Sequence, residues 1–317
     1  MSFASEVKQE TAQKNLTGND ARAELSALVQ ICSSLSLSSR GMTILITVEN
    51  AAVARRIFSL IKERYDTDTE LFVKRKMNLK KNRVYGIRIM SGAADILKDL
   101  GIYSSRGLLD KPLAKIVQTD NNARAYLAGA FMASGSINPP EKTQYHMEIV
   151  TNTEEHAQFL VRLLGRFDIP ARSIMRRSKY VVYVKQAEKI GDFLRLIEAD
   201  QALMKFENIR ISRDFTNSIT RLNNMDVANE MKTQAAAQRQ LEDIRILEEA
   251  DRIGKLDEKL QDVIVLRKEF PDSSLNELAE IYERRTGTAV SKSGMKHRFV
   301  RIHEIAEKVS GKADSRV

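Results

Sequence analysis

Apolar residues along the first two hundred positions alternate between two periods. The run TILITV from Thr43 is β-branched and continuous, which predicts a strand. AAVARRIFSLIKERY follows with Val53, Ile57, Leu60 and Ile61 on one helical face. ELFVKRKM and RVYGIRIM then read as a hairpin across the polar turn NLKKN. Further on the same order recurs: YHMEIVT predicts a strand, EEHAQFLVRLLGRF a helix, RSIMRR and YVVYVK a hairpin across Ser178-Lys179, and QAEKIGDFLRLIE a closing helix.

The two series share a helical opening. ELSALVQICSSL from Glu24 lies over YLAGAFMASGSI from Tyr126, so that Leu25 falls on Leu127, Ala27 on Gly129, Cys32 on Ser134 and Ser34 on Ser136, an offset of 102 residues. A repeat of that length sets the architecture. Each half is expected to run α-β-β-α-β-β-α, giving an α+β, pseudo-twofold domain over 21–200 with an antiparallel sheet in each half. The repeats span about 21–110 and 121–200, joined by Lys111 to Asn122, and residues 1–20 form an N-terminal helical segment. Ala23 and Ala27, and Ala125, Gly129 and Ala133, are spaced by one helical turn. Small side chains at that spacing clear a face on which two helices approach closely, so the opening helices are expected to pack together on the pseudo-twofold axis.

From about Asp200 strand signals stop and an all-α region is expected. A helical linker covers 201–252, with Val227 to Ala250 as its clearest stretch and Val227, Met231 and Ala235 on one face. Asn217, Asn223, Asn224 and Asn229 read as cap or turn residues, with contact to nucleic acid as the alternative. Residues 253–317 carry three helices. Asp257 to Phe270 turns Leu260, Val263 and Ile264 inward and ends at Pro271. Ser274 and Glu277 form a capping box opening a second helix, with Leu278, Ala279 and Tyr282 inward. Gly287 marks a turn, and Ser291 caps a third helix whose inward stripe is Met295, Phe299, Ile302 and Ala306. This order predicts a helix-turn-helix.

Charge sharpens that reading. The chain has 317 residues and a formal net charge of +9, and a basic surplus suits a polyanion. From Arg284 to Arg301 there are six Lys or Arg and no acid, although 201–317 as a whole hold 21 basic and 20 acidic residues. That concentration is the footprint of a DNA-docking helix. Lys292, Ser293, Lys296 and His297, on the first turns of the third helix, are candidates for reading base edges. Arg284, Arg285, Arg298 and Arg301 are placed for phosphates, and the free amides near Ser291 can hold another. The hairpins of the first domain are also basic, with Lys74, Lys76, Lys80, Lys81 and Arg83 in one and Arg176, Arg177 and Lys179 in the other. They serve either a second DNA contact or solubility and edge protection; the domain could equally bind a protein partner.

Other chemistry is thinly represented. Cys32 is the single cysteine, so no internal disulfide forms. No His, Cys or carboxylate spacing suggests a metal site, and no phosphate loop or nucleophile elbow occurs. No metal or other cofactor is expected. The polar N-terminus and the absence of a long apolar run lead to the expectation of a cytoplasmic, nucleoid-associated protein without a membrane partner.

LAGAFMASG, from Leu127, resembles the LAGLIDADG helix of homing endonucleases. The resemblance implies a LAGLIDADG-type fold in which one aspartate per repeat holds divalent metals. Here the matching positions are Cys32 and Ser134, which lack the oxygen charge that metal-assisted phosphodiester cleavage requires. No nuclease activity is therefore expected. MSFASEVKQE, AELSALVQICSSLSL, YLAGAFMASGSINPPEK, NSITRLNNMDVANEMKTQAAAQRQLEDI and AVSKSGMKHR are together similar to the WhiA family. That resemblance implies a bacterial, sequence-specific DNA-binding transcriptional regulator linked to cell division, chromosome segregation or sporulation. Its parts would be a degenerate endonuclease-like domain and a C-terminal helix-turn-helix, with double-stranded DNA as the partner. The alternatives are a metal-dependent endonuclease with unusual ligands and an RNA-binding, maturase-like protein.

Overall fold

The structure, a computed structural model, describes residues 1–38, 41–75, 83–142 and 144–313. They divide into two compact units, Met1–Asp214 and Phe215–Val317.

The first unit opens with α1 (Phe3–Thr11), whose Ser2 hydroxyl caps the Ser5 amide. The first repeat then runs α2 (Gly18–Cys32), β1 (Ser33–Ser38), β2 (Gly41–Val48), α3 (Ala51–Arg64), β3 (Thr69–Arg75), β4 (Arg83–Ile89) and α4 (Ala93–Asp99). A small ribbon, β5 (Tyr103–Ser104) and β6 (Gly107–Leu108), and a 3-10 turn at Ala114–Val117 lead to the second repeat. That repeat is α5 (Asp120–Ser134), β7 (Gly135–Ile137), β8 (Met147–Thr151), α6 (Glu154–Gly165), β9 (Arg172–Arg176), β10 (Lys179–Val184) and α7 (Ala187–Leu196). The sheets have the same antiparallel order, β1-β2-β4-β3 and β7-β8-β10-β9. The expected seven-element repeat is thus present in both halves. The second hairpin turns at Arg177-Ser178, one residue earlier than its sequence suggested, and both residues have positive φ, 50° and 61°. A two-residue turn needs that backbone to match the strand twist, and residues with a Cβ adopt it at a cost.

The halves meet through α2 and α5, the most extensively packed pair of elements. A Cβ on Gly129 would stand 2.4 Å from the Glu24 carbonyl oxygen and 3.1 Å from the Ala27 Cβ, so the glycine is required by the approach of a neighbouring backbone. Each half has its own core, and the helices interleave across the axis. Ala23 and Ala27 of α2 join the second half's core, while Met132 of α5 joins the first's. Equivalent positions on the two helices carry polar ties to their own halves. Glu24 accepts two hydrogen bonds from Arg56 of α3, at 2.8 and 3.1 Å. Its counterpart Tyr126 bonds His156 of α6 at 2.8 Å.

Helix α8 (Asp200–Glu249) begins where the last repeat ends and is continuous for 50 residues. It therefore starts well before Val227, and Asn217, Asn223, Asn224 and Asn229 are helical rather than cap or turn residues. Val227, Met231 and Ala235 are exposed; the buried side of the helix in the second unit begins at Ala237 and continues through Ile244 and Leu247. A 3-10 turn at Ile253–Lys255, α9 (Glu258–Glu269), α10 (Leu275–Thr286) and α11 (Lys292–Ala313) complete the second unit. Its core is Ile244 and Leu247 of α8 with Val263, Ile264, Leu278, Tyr282, Met295, Phe299 and Ile302.

Candidate nucleic-acid interface and the motif helices

In the second unit, α10 and α11 form a helix-turn-helix with each boundary fixed by local chemistry. The Ser274 hydroxyl accepts from the Glu277 amide at 3.3 Å while the Glu277 carboxylate accepts from the Ser274 amide at 2.7 Å, which closes the capping box. Gly287 ends α10 at φ 68°, a conformation that suits a residue without Cβ. Ser291 opens α11 by accepting from the Gly294 amide at 3.1 Å. Met295, Phe299, Ile302 and Ala306 are buried as expected.

The face left outward carries Lys292, Ser293, Lys296 and His297, all exposed. Val300 follows one turn after Lys296 and is also exposed, a residue the charge-led sequence reading passed over. An apolar side chain on such a face can meet a thymine methyl.

The arginines divide. Arg284 is exposed and bonds the Glu280 carbonyl oxygen at 3.3 Å. Arg285 is paired with Glu269 and lies over the Phe270 ring, and Arg301 pairs with Glu304 at 2.8 Å. Arg298 packs its guanidinium 4.4 Å from the Tyr282 ring centre, with a buried Nη1 that has no hydrogen-bond partner. It therefore fastens α11 to α10, a different placement from the phosphate-facing one expected.

One further arginine organises this unit. Arg267 of α9 is 1% exposed. Its Nη1 donates to the carbonyls of Phe270, Pro271 and Ser273, at 3.3, 3.2 and 2.6 Å, and its Nε donates to Gln240 at 3.0 Å. The guanidinium also lies 5.3 Å from the Phe299 ring centre. It thus satisfies the carbonyls of the α9–α10 turn while touching α8 and α11. Its position i+4 from Val263 and i+3 from Ile264 was the available signal, since it puts a charge on the inward stripe. Between α11 and α8, His303 bonds Asp243 at 2.9 Å, and this hydrogen bond holds the imidazole above its ordinary pKa.

In the first unit, a cleft of about 900 Å³ lies at the C-terminal end of α5, lined by Met132, Ala133 and Gly135, by Thr47, Glu49 and Arg83, and by Ser2, Ser5 and Lys8 of the N-terminal segment. Cys32 and Ser134 occupy the expected helix ends. The Cys32 thiol points to the Ala133 carbonyl oxygen at 3.7 Å, and burial pushes its pKa up to about 12. The Ser134 hydroxyl donates to the Val150 carbonyl at 2.6 Å and accepts from the Val150 amide at 3.2 Å. Lys8 enters the same space beside the Phe131 ring, its pKa lowered by burial. A protonated thiol, a hydroxyl already engaged by backbone and an adjacent ammonium do not fit a divalent cation, which takes charged or carbonyl oxygens. Among the described residues no three His, Cys, Asp or Glu side chains gather as a ligand set.

The outward residues of the first sheet, among them Ser34, Ser36, Thr43, Thr47, Glu70, Phe72 and Arg88, are mainly uncharged, and Arg88 is neutralised by Glu70 at 2.6 Å. Lys74 lies 5.1 Å from the Phe72 ring centre, Arg83 stands at the cleft, and Lys179 donates to Asn152 at 2.5 Å. Arg176 and Arg177 are exposed at the second hairpin's tip. Lys76, Lys80 and Lys81 lie outside the described residues.

Family models match in chain order: a WhiA N-terminal LAGLIDADG-like domain over 19–103, a WhiA LAGLIDADG-like domain over 123–216 and a WhiA C-terminal HTH domain over 219–306. The probable cell division protein WhiA of Latilactobacillus sakei subsp. sakei is 44% identical over 308 residues, covering 96% of this chain and 97% of its own. That of Enterococcus faecalis is 44% identical over 313 residues, covering 99% and 100%. The crystal structure of full-length WhiA from Thermatoga maritima superposes with a TM-score of 0.59 at 23% identity, covering 97% of this chain and 99% of its own, which is a likeness of fold. With its repeat, its helix-turn-helix and its full-length relatives in agreement, the chain belongs to the WhiA family.

Proposed function

We propose that this chain is a sequence-specific, duplex-DNA-binding transcriptional regulator that reads its site through α11 and cuts nothing. The observation that carries this reading is the outward face of α11, where Lys292, Ser293, Lys296, His297 and Val300 stand exposed beside a capped helix start, with no acid between Arg284 and Arg301. Lys292, Lys296 and His297 supply donors to base edges, Val300 an apolar contact, and the α11 amides and Arg284 phosphate contacts. Arg285 and Arg301 can join the phosphate set by exchanging their exposed carboxylate partners, which hold them weakly. Ser274 and Glu277 act by fixing the start of α10.

The chemistry of Cys32, Ser134 and Lys8 supports a chain without catalysis, and an incubation of supercoiled plasmid with Mg²⁺ is expected to leave it intact. The relatives' name, probable cell division protein, supports a role in cell division, and such a role would be carried out in the cytoplasm on the nucleoid. The first unit then serves as a scaffold, as a partner surface, or through Arg176, Arg177 and the first hairpin as a secondary DNA grip.

Fluorescence anisotropy with labelled genomic duplexes tests this reading. Lys296→Ala should weaken binding while leaving the melting transition in place. Equal affinity of wild type and Lys292→Ala/Lys296→Ala across a salt series would overturn the assignment of α11 as the reader.

A further inference from the structure

Residues 214–232 of α8 are exposed at every position. Such a bare helical stretch usually relies on strong helix formers, yet this one holds Thr216, Asn217, Ser218, Thr220, Asn223, Asn224 and Asn229, which are poor ones. It also exposes large apolar side chains: Phe215 at 67%, Leu222 at 57%, Met225 at 53% and Ile219 at 42%. Poor propensity and unburied apolar surface together call for a partner.

The spacing specifies one. With Phe215, Leu222 and Asn229 as successive a positions, Met225 falls at d and Ile219 at e, so the apolar residues gather on one seam. Val227 and Met231 fall at f and c, away from it. In this register Arg221 occupies g and Asp226 the following e. Both side chains are exposed, and among the described residues neither has an ion pair or side-chain hydrogen bond. In a parallel pair of identical helices, g of one strand meets the next e of the other, so Arg221 would meet Asp226 of a second copy twice, once on each side of the seam. Asn229 at a supplies the buried polar contact that fixes register in two-stranded pairs.

We propose that this face of α8 is a homodimer interface, in which two copies of the chain pair in parallel along Phe215 to Asn229. The pairing is independent of the DNA-binding reading and is measured without DNA. If both hold, the dimer carries two helix-turn-helix readers related by a twofold axis, and the DNA site would be two half-sites in inverted repeat.

Sedimentation equilibrium of the full chain over micromolar concentrations tests it. A monomer–dimer equilibrium is expected, and Phe215→Glu/Leu222→Glu should shift it toward monomer by at least about tenfold in Kd. Arg221→Asp and Asp226→Arg should each weaken the dimer, and the double exchange should restore it. Asn229→Cys in a Cys32→Ser background should oxidise to a disulfide-linked dimer, because over this seam the parallel pair sets residue 229 against itself whereas an antiparallel one sets it against residue 215. Circular dichroism checks that each variant stays folded. A chain monomeric throughout that range, a dimer indifferent to Leu222→Glu, or a double exchange that fails to rescue overturns the proposal. Efficient monomer–dimer exchange without cross-linking at 229 overturns the parallel arrangement.

Discussion

Arg267 shows how one buried side chain can hold a small domain together. Removing it strands three turn carbonyls and the Gln240 amide oxygen at once, and a broken buried polar network costs roughly 3–5 kcal/mol. Arg267→Met should therefore lower the melting transition of the second unit sharply and take DNA binding with it, whereas Lys296→Ala should affect binding alone; differential scanning calorimetry separates the two. His156 gives a prediction in pH. Gln30 donates its amide to the Leu109 carbonyl at 3.1 Å, which turns its oxygen toward the Tyr126 hydroxyl at 3.0 Å. Tyr126 therefore donates to Gln30 and accepts from the Nε2–H of His156. Burial disfavours the charged imidazole, lowering the His156 pKa from 6.5 to about 4. The unfolded chain takes up that proton first, so the contribution of neutral His156 is complete above pH 6.5 and is lost as pH falls toward 4, about 3 kcal/mol in all. Urea denaturation of wild type and His156→Gln between those pH values should show a shallower acid loss in the variant.

Among the elements, the pair α2–α5 carries the sharpest test. Helix propensity alone favours Gly129→Ala by about 1 kcal/mol, but the new Cβ would press on the Glu24 carbonyl. Gly129→Ala should therefore destabilise the first unit, and Gly129→Leu should do so by roughly 3 kcal/mol or prevent folding. A thermal melt of either that matches wild type would remove the packing account of the motif. At the second hairpin the opposite is expected. Arg177→Asn/Ser178→Gly places residues that favour left-handed backbone at φ 50° and 61° and should stabilise by about 1 kcal/mol. These elements were legible because period-2 and period-3.6 stretches repeat at a fixed offset. The helix-turn-helix boundaries were legible because Ser274, Glu277, Gly287 and Ser291 each solve a local backbone problem. The start of α8 was not. Its asparagines have the local chemistry of turns, and only the continuous helix shows that this preference loses. Nor could side-chain chemistry alone foretell that Arg298 would turn to Tyr282, since its target lies on another helix.

For the molecule as a whole, the salt dependence of binding should tell which unit grips DNA. Each phosphate-neutralising cation contributes about 0.9 to the slope of log affinity against log salt. Residues 1–214 alone should bind duplex DNA far more weakly than the full chain if α11 is the reader; an undiminished steep slope in the truncated chain would move the main contact to the hairpins. The first unit also closes on itself across nearly its full length. Glu10 of α1 accepts from the amides of Gln201 and Ala202 at 2.7 and 3.0 Å, Glu6 pairs with Lys205 at 2.8 Å, and Phe3 stacks on Phe206. These α8 partners of α1 are among the last residues of the unit to leave the ribosome, whereas α3, α5 and β7, which α1 also touches, are made much earlier. Until α8 emerges, α1 lacks Lys205 and Phe206 to hold it, and the opening turn of α8 in turn depends on Glu10 to bind its amides. The anchoring of the first helix made is therefore completed only when residue 206 emerges, and a nascent chain halted before it should expose its N-terminal segment to protease more than the finished unit does.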